Sequence, residues 1–221
     1  MIRLKKQNGY SLAELVVALP LSILVIVILT FAITNFVTTY QEIQLYTQLQ
    51  EELFNAIETM RYGYAKESVT GSFYSPENEK EGLIGLLTAK EVTIGISGKS
   101  ITILPINLNP GVPYYSQFFL DDKGHLRVSG QYGIKTYTNE LVFPKTARKI
   151  GGDQQFKILE LFFVPKKVVN NKIYMLGIEI KARVRFREKL ESQSLEEDTQ
   201  VNTKTITYKT SVYLANSGSQ D

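Results

Sequence analysis

An uncharged, apolar run near the N-terminus constrains the fold of this chain more than any other part of its sequence. The run extends from Leu15 to Gln41, and residues 1–9 before it carry Arg3, Lys5 and Lys6 but no acidic side chain. About 20 apolar residues in a helix cross the hydrocarbon core of a bilayer. The run therefore predicts a membrane-spanning helix.

The basic side chains before this helix predict its orientation. Lys and Arg favour the cytoplasmic side of a membrane, so we expect the long C-terminal part to lie outside the cytoplasm. Lys plus Arg number 25 against 22 for Asp plus Glu, and the whole excess lies within residues 1–9. The rest of the chain has no net charge and gives no global argument for nucleic-acid binding.

One acidic residue, Glu14, stands at the edge of the apolar run. A charge at the bilayer centre costs ~2.5 kcal/mol or more, so an ionisable group at the edge of the span is a functional candidate. Ser11 lies three residues earlier, and this spacing also fits a capping box in which Glu14 accepts from a free backbone amide. Both interpretations of Glu14 remain open at the sequence level.

A cleaved signal peptide and a plain membrane anchor compete with any more specific interpretation of the N-terminus. A signal peptide has an apolar core of about 7–15 residues that ends in small residues. Here the run is longer, and its end contains Phe36-Val37-Thr38-Thr39 rather than small residues around a cleavage site. A plain anchor explains the charges and the length, but not a glutamate five residues after Gly9.

The segment Gly9-Tyr10-Ser11-Leu12-Ala13-Glu14-Leu15, after its basic leader, resembles the N-terminus of type IV prepilins. The resemblance implies that a prepilin peptidase cuts after Gly9 and methylates the amine of Tyr10, leaving the apolar helix on the mature chain. It also implies that Glu14 pairs with the N-terminal amine of a neighbouring subunit during assembly. The family usually has phenylalanine after the cut, and Tyr10 keeps the aromatic ring.

Beyond the apolar run, an apolar stripe continues at helical spacing. Its members are Tyr46, Leu49, Leu53, Ile57, Met60 and Tyr64. The stripe predicts one helix from about Ser11 to about Tyr64, with its first half in lipid and its second half against a globular domain. Pro20 should kink or locally open this helix, and Glu52, away from the stripe, is expected at the surface.

The remaining sequence predicts strands. They are Val92–Ile96, Ser100–Ile106, Tyr114–Leu120, His125–Ser129, Phe156–Val164, Ile178–Phe186 and a last strand from Ile206 to Leu214. Asp121-Asp122-Lys123-Gly124 predicts a tight hairpin turn, and Glu188–Thr203 a mobile loop. A long N-terminal helix followed by an antiparallel sheet is an α+β fold. We expect a leader at 1–9, a transmembrane and assembly helix at 10–40, a globular domain at 41–215 and a polar tail at 216–221.

This order resembles the larger minor pilins and pseudopilins, such as the J-type pseudopilin of type II secretion and the W-type minor pilin. The likeness rests on Gln48–Gly63, on Phe119-Leu120-Asp121 with Leu126, and on the closing run Thr210–Asn216. It implies a pilin-like domain outside the inner membrane and a subunit that primes or joins a filament with other pilins or pseudopilins. A membrane-anchored binding module that does not polymerise and a DNA-uptake filament subunit remain alternatives.

Catalytic residues have little support in this sequence. His125 is the single histidine and there is no cysteine, so neither a catalytic triad nor a histidine-rich metal site is predicted, and no cofactor or enzyme activity is expected. We expect His125 to lie at a surface turn and Asp121 and Asp122 to form the turn rather than bind calcium.

Basic residues form one further candidate surface. Arg183, Arg185 and Arg187 alternate with apolar residues after Lys181, and Lys166, Lys167 and Lys172 precede them. This face could contact DNA phosphates or an acidic partner. A solvated strand face that discourages edge pairing is the favoured interpretation.

Overall fold

The computed structural model describes residues 11–64, 82–105, 114–133, 135–145, 148–188, 192 and 194–214, with only the backbone of Ala13 and Val201. These residues fall into two compact units that divide between Gln44 and Leu45. The predicted tail and the loop around Gly71 lie outside the described residues.

The first element is the long helix α1 (Leu12–Tyr62), close to the predicted range. The helix continues on both sides of Pro20. It ends at Tyr62, and the next residue, Gly63, has a φ of 114° that suits glycine and few other residues. Tyr64 therefore belongs to the short strand β1 (Gly63–Tyr64) rather than to the helix.

The second unit contains antiparallel sheets, as an α+β fold requires. The strand β1 pairs with β2 (Leu83–Ile84), and a short hairpin joins β8 (Lys149–Ile150) to β9 (Asp153–Gln154). A five-stranded sheet follows chain order through β3 (Ala89–Ile94), β4 (Ser100–Pro105), β5 (Tyr114–Leu120), β6 (Leu126–Tyr132) and β7 (Lys135–Phe143). A three-stranded sheet has the order β10 (Phe156–Val169), β11 (Lys172–Arg185) and β12 (Thr203–Tyr213).

One hydrophobic core holds the second unit together. The helical stripe contributes Leu49, Leu53, Ile57 and Met60, all with at most 3% of their surface exposed. The two larger sheets contribute alternate residues of their strands to the same core, including Ile101, Phe118, Val128, Ile158, Phe163, Ile178, Ile180 and Val184. Because burying a leucine or isoleucine side chain is worth about 1.5–3 kcal/mol, this stripe stabilises the second half of α1 far more than helix propensity does.

The sheets depart from the sequence prediction at several strands and at one loop. The strand β7 was not predicted, although Tyr137, Val142 and Phe143 are buried in it. The strand β10 continues through Pro165 to Val169, because β10 lies at the edge of its sheet and an edge strand tolerates a residue without an amide hydrogen. The predicted loop Glu188–Thr203 is wrong at its C-terminal end, where α2 (Leu195–Asn202) forms.

The helix α2 begins with a capping box that the sequence contains but the prediction missed. The Ser194 hydroxyl accepts from the backbone N–H of Glu197, and the Glu197 carboxylate accepts from the N–H of Ser194. Three acidic residues occupy the first turn, where they favour the helix dipole. The helix is too short to show an apolar stripe, which is why periodicity did not reveal it.

Glu52 is a correction to the predicted helix surface. It is 8% exposed, and its Oε2 accepts a hydrogen bond of 3.0 Å from the backbone N–H of Lys145, just after β7. Helical spacing alone placed Glu52 outside the stripe. It could not show that the chain returns to the helix 93 residues later.

The core position of Leu53 yields a stability prediction. We expect Leu53→Ala to lower the free energy of unfolding by ~2–5 kcal/mol, because burial is lost and a cavity is left. The exposed Glu51 gives the control, since Glu51→Ala should change the free energy by less than ~0.5 kcal/mol. Chemical denaturation of the full chain in detergent, followed by tyrosine fluorescence, measures both. Equal small effects would contradict the packing of the stripe.

Candidate functional site

The N-terminus of α1 carries the candidate residue Glu14. The backbone N–H of Ser11 donates to Oε2 of Glu14 at 2.8 Å, and the N–H of Glu14 donates to the Ser11 hydroxyl at 3.2 Å. These two bonds form the capping box that the sequence predicted. Both residues are exposed, so this carboxylate remains accessible to a further partner. Gly9 and Tyr10, the predicted processing residues, lie outside the described residues.

The next part of α1 exposes apolar side chains over its whole surface. Val16, Phe31 and Phe36 are 60%, 70% and 71% exposed, and their apolar neighbours between Leu15 and Val37 are similar. A surface of this kind is unfavourable in water and favourable in lipid. Among the described residues, α1 is the one helix long and apolar enough to cross a membrane, which is consistent with a single-pass anchor.

The hydroxyl groups in this apolar segment are bonded within the helix. Ser22, Thr30 and Thr34 each donate to the carbonyl oxygen four residues earlier, at 2.8, 2.8 and 2.9 Å. An unbonded hydroxyl would be costly in lipid. These side chains therefore enter an apolar environment without needing an external partner.

The predicted basic face of β11 is largely neutralised by acidic neighbours. Lys181 pairs with Glu160 on β10 at 2.9 Å, and Arg183 pairs with Asp153 at 2.7 Å. Neither predicted interpretation of Arg185 holds, because this residue is 8% exposed rather than solvated or available to phosphate. Lys166, Lys167 and Lys172 are exposed near the tip of the β10–β11 hairpin.

Arg185 instead joins α2 to the three-stranded sheet. Its two terminal nitrogens donate to the two carboxylate oxygens of Asp198, each at 3.0 Å, and Asn202 donates to the same carboxylate at 3.0 Å. Planar, bidentate pairs of this kind are the strong form of an Arg–carboxylate contact. Removing one partner from a buried pair typically costs ~3–5 kcal/mol, so this pair has a structural role that explains the arginine.

His125 is a further correction, because it is buried rather than at the surface. It is 6% exposed, its Nε2 hydrogen-bonds with Oε1 of Gln154 on β9, and its Nδ1 lies 3.2 Å from Oδ2 of Asp121. The histidine thus links the β5–β6 turn to β9. Its contacts are structural, and the sequence could not reveal them because Gln154 lies 29 residues away.

Asp121 organises the β5–β6 turn, as the sequence predicted. Its Oδ1 accepts from the backbone N–H groups of Lys123 and His125, and its Oδ2 accepts from Arg127 Nε at 2.7 Å. Burial raises the pKa of this carboxyl, but the hydrogen bonds from Arg127 and His125 outweigh burial, so its pKa lies below the usual range. Among the described residues no group of three or more His, Cys, Asp or Glu could hold a metal ion.

Comparisons of the chain with protein-family models, with curated proteins and with solved structures found no match. The structure brings Ser11 and Glu14 together, and it places the other candidates, His125 and the β11 arginines, in contacts that hold the fold together.

The lowered pKa of Asp121 yields a prediction of pH dependence. A carboxyl with a folded pKa below the unfolded value of about 3.9 stabilises the fold above that pH, and the stabilisation is lost as pH falls through the folded pKa. At pH 7, Asp121→Asn should therefore lower the unfolding free energy by roughly 1–3 kcal/mol. The difference from the parent chain should shrink below about pH 4.

The neighbouring Asp122 provides the matched control, because it lies in the same turn and is exposed. Denaturation of the full chain in detergent at several pH values measures all three proteins. Asp122→Asn should follow the parent chain at every pH. A deficit of Asp121→Asn that stays constant down to pH 2 would contradict the charge-based account.

Proposed function

We propose that this chain is the precursor of a minor pilin or pseudopilin, a membrane-anchored subunit that primes or joins a type IV filament. Prepilin peptidase cuts it after Gly9 and methylates Tyr10. The apolar half of α1 then lies in the inner membrane, and the second unit lies on the periplasmic or extracellular side. Its partners are the peptidase, other pilin or pseudopilin subunits and membrane lipid.

The position of Glu14 is the observation that carries this proposal. A capping box accepts glutamine as well as glutamate at this position, and an N-cap contact is worth about 0.5–2 kcal/mol whichever is present. A charge near the bilayer adds a cost that the cap does not require. A carboxylate is explained if it meets an opposite charge, and the free amine of Tyr10 on a neighbouring subunit supplies one.

The course of α1 supports the same proposal. The helix exposes apolar side chains up to Val37 and buries the stripe from Leu49 to Met60 in the core of the second unit. One helix thus presents one half to lipid and the other to a folded domain. This division is what the resemblance to pilins and pseudopilins leads us to expect.

The charge on Glu14 can be separated experimentally from its capping role. Glu14→Gln keeps an oxygen that can accept from the Ser11 N–H but removes the charge. Ser11→Ala removes the hydroxyl that accepts from the Glu14 N–H but keeps the charge. We expect Glu14→Gln to be lost from sheared or affinity-purified filaments while its level in the membrane is unchanged, and Ser11→Ala to be incorporated.

The amount of each variant in filament and membrane fractions is measured by quantitative immunoblotting in cells that express the partner subunits. Normal incorporation of Glu14→Gln would leave capping as the role of Glu14. A parent chain that stays in the membrane and never enters a filament would favour an anchored binding module that does not polymerise.

A further inference from the structure

The outer edge of β12 is an open hydrogen-bonding edge. β12 pairs with β11 along one side only, as the last strand of its sheet. Two backbone hydrogen bonds at the ends of the β11–β12 ladder show which groups of β12 face β11. The N–H of Phe186 donates to Asn202 O, and the N–H of Leu214 donates to Tyr174 O. In an antiparallel ladder such bonded pairs alternate with unbonded ones. The outward-facing groups are therefore those of Thr203, Thr205, Thr207, Lys209, Ser211 and Tyr213.

From Thr205 to Tyr213, none of these outward groups has a backbone partner among the residues that the structure describes. Thr205, Thr207, Lys209 and Tyr213 are exposed, whereas Thr203 is 6% exposed and bonded to α2. The open part of the edge therefore runs from Thr205 to Tyr213. A long row of unpaired N–H and C=O groups is a template for another strand. The sequence of β12, with its threonines and tyrosines, also has high strand propensity.

The opposite edge of the same sheet is partly closed. On β10, the N–H of Ile158 donates to Gly124 O and the N–H of Phe163 donates to Gly98 O, each at 2.9 Å. Pro165 offers no N–H at all. The two edges of this sheet therefore differ, and the open one is β12.

The side chains along β12 suit a second copy of the same strand. When two copies of β12 overlap fully and run antiparallel, Tyr208 of one copy lies opposite Tyr208 of the other. The remaining outward residues then pair between the copies as Thr203 with Tyr213, Thr205 with Ser211, and Thr207 with Lys209. No lysine lies directly opposite a lysine, which would be unfavourable. Lys209 is already paired with Glu179 at 2.9 Å, and the Lys204 ammonium lies 5.8 Å from the centre of the Phe186 ring.

We propose that two copies of this chain associate through β12, in the antiparallel register that places Thr205 opposite Ser211. The three-stranded sheets of the two copies then form one continuous six-stranded sheet about a twofold axis at Tyr208. Such an interface is isologous and closes on itself. This inference rests on the second unit alone and does not depend on the proposed function.

Cysteine cross-linking in the full chain tests this register directly, because the natural sequence has no cysteine. One copy carries Thr205→Cys and a differently tagged copy carries Ser211→Cys, both expressed in the same membrane and treated with a mild oxidant. In the proposed register their Cα atoms lie about 5.5 Å apart, as in a hydrogen-bonded pair, which is within disulfide range. We expect a disulfide-linked dimer that contains both tags.

Two matched pairings provide the control. Copies that both carry Thr205→Cys, or both Ser211→Cys, place their thiols six residues apart along the strands, about 20 Å, which is beyond disulfide reach. These pairings should give no dimer. Adding Thr207→Pro to both cysteine copies removes one outward N–H, leaves the bonds to β11 intact, and should abolish the mixed dimer without changing the denaturation midpoint.

Four results would overturn the proposal. No mixed dimer, or a mixed dimer that persists with Thr207→Pro, would show that β12 does not pair with itself. Equal dimer yields in all three cysteine pairings would indicate random collision. A cross-link to a different polypeptide would assign the edge to another partner.

Discussion

The apolar surface of α1 between Leu15 and Val37 is the constraint on which the rest of this structure depends. The apolar side chains of this segment contact only their neighbours on the same helix, and they are exposed on every side of it. At about 25 cal/mol per Å² of apolar surface, such a segment is strongly unfavourable in water. Lipid accommodates it, provided that backbone and hydroxyl groups are bonded within the helix, as those of Ser22 and Thr30 are.

In the second half of the same helix, the apolar side chains face a protein core instead. After Leu45 the buried apolar side chains form one stripe, which packs against two sheets in a shared core. Around that core, charged residues act mainly as connections between distant elements: Arg185 binds Asp198 of α2, and Glu52 accepts from the backbone at Lys145. Arg185 and Glu52 thus contribute to the stability of the second unit, whereas the charge of Glu14 is explained by the assembly role that we propose for it.

The sequence predicted the features that depend on local periodicity. These include α1, its buried stripe, the alternation of β11 and the Asp121 turn. It failed where position depends on contacts between distant segments, as for Glu52, His125 and Arg185, whose partners lie 93, 29 and 13 residues away. It also missed α2, whose eight residues are too few for a periodic signal. The cap joining Ser11 and Glu14 was predictable because both partners lie within one turn.

We propose that the apolar helix stays on a mature chain that begins at Tyr10. Intact-mass analysis of the protein extracted from membranes tests this claim most directly, in cells with and without an active prepilin peptidase. The account predicts loss of residues 1–9 and the addition of one methyl group when the peptidase is active, and the uncut chain when it is not. A mature chain that retains Met1 in both, or one that begins beyond Phe36, would contradict it.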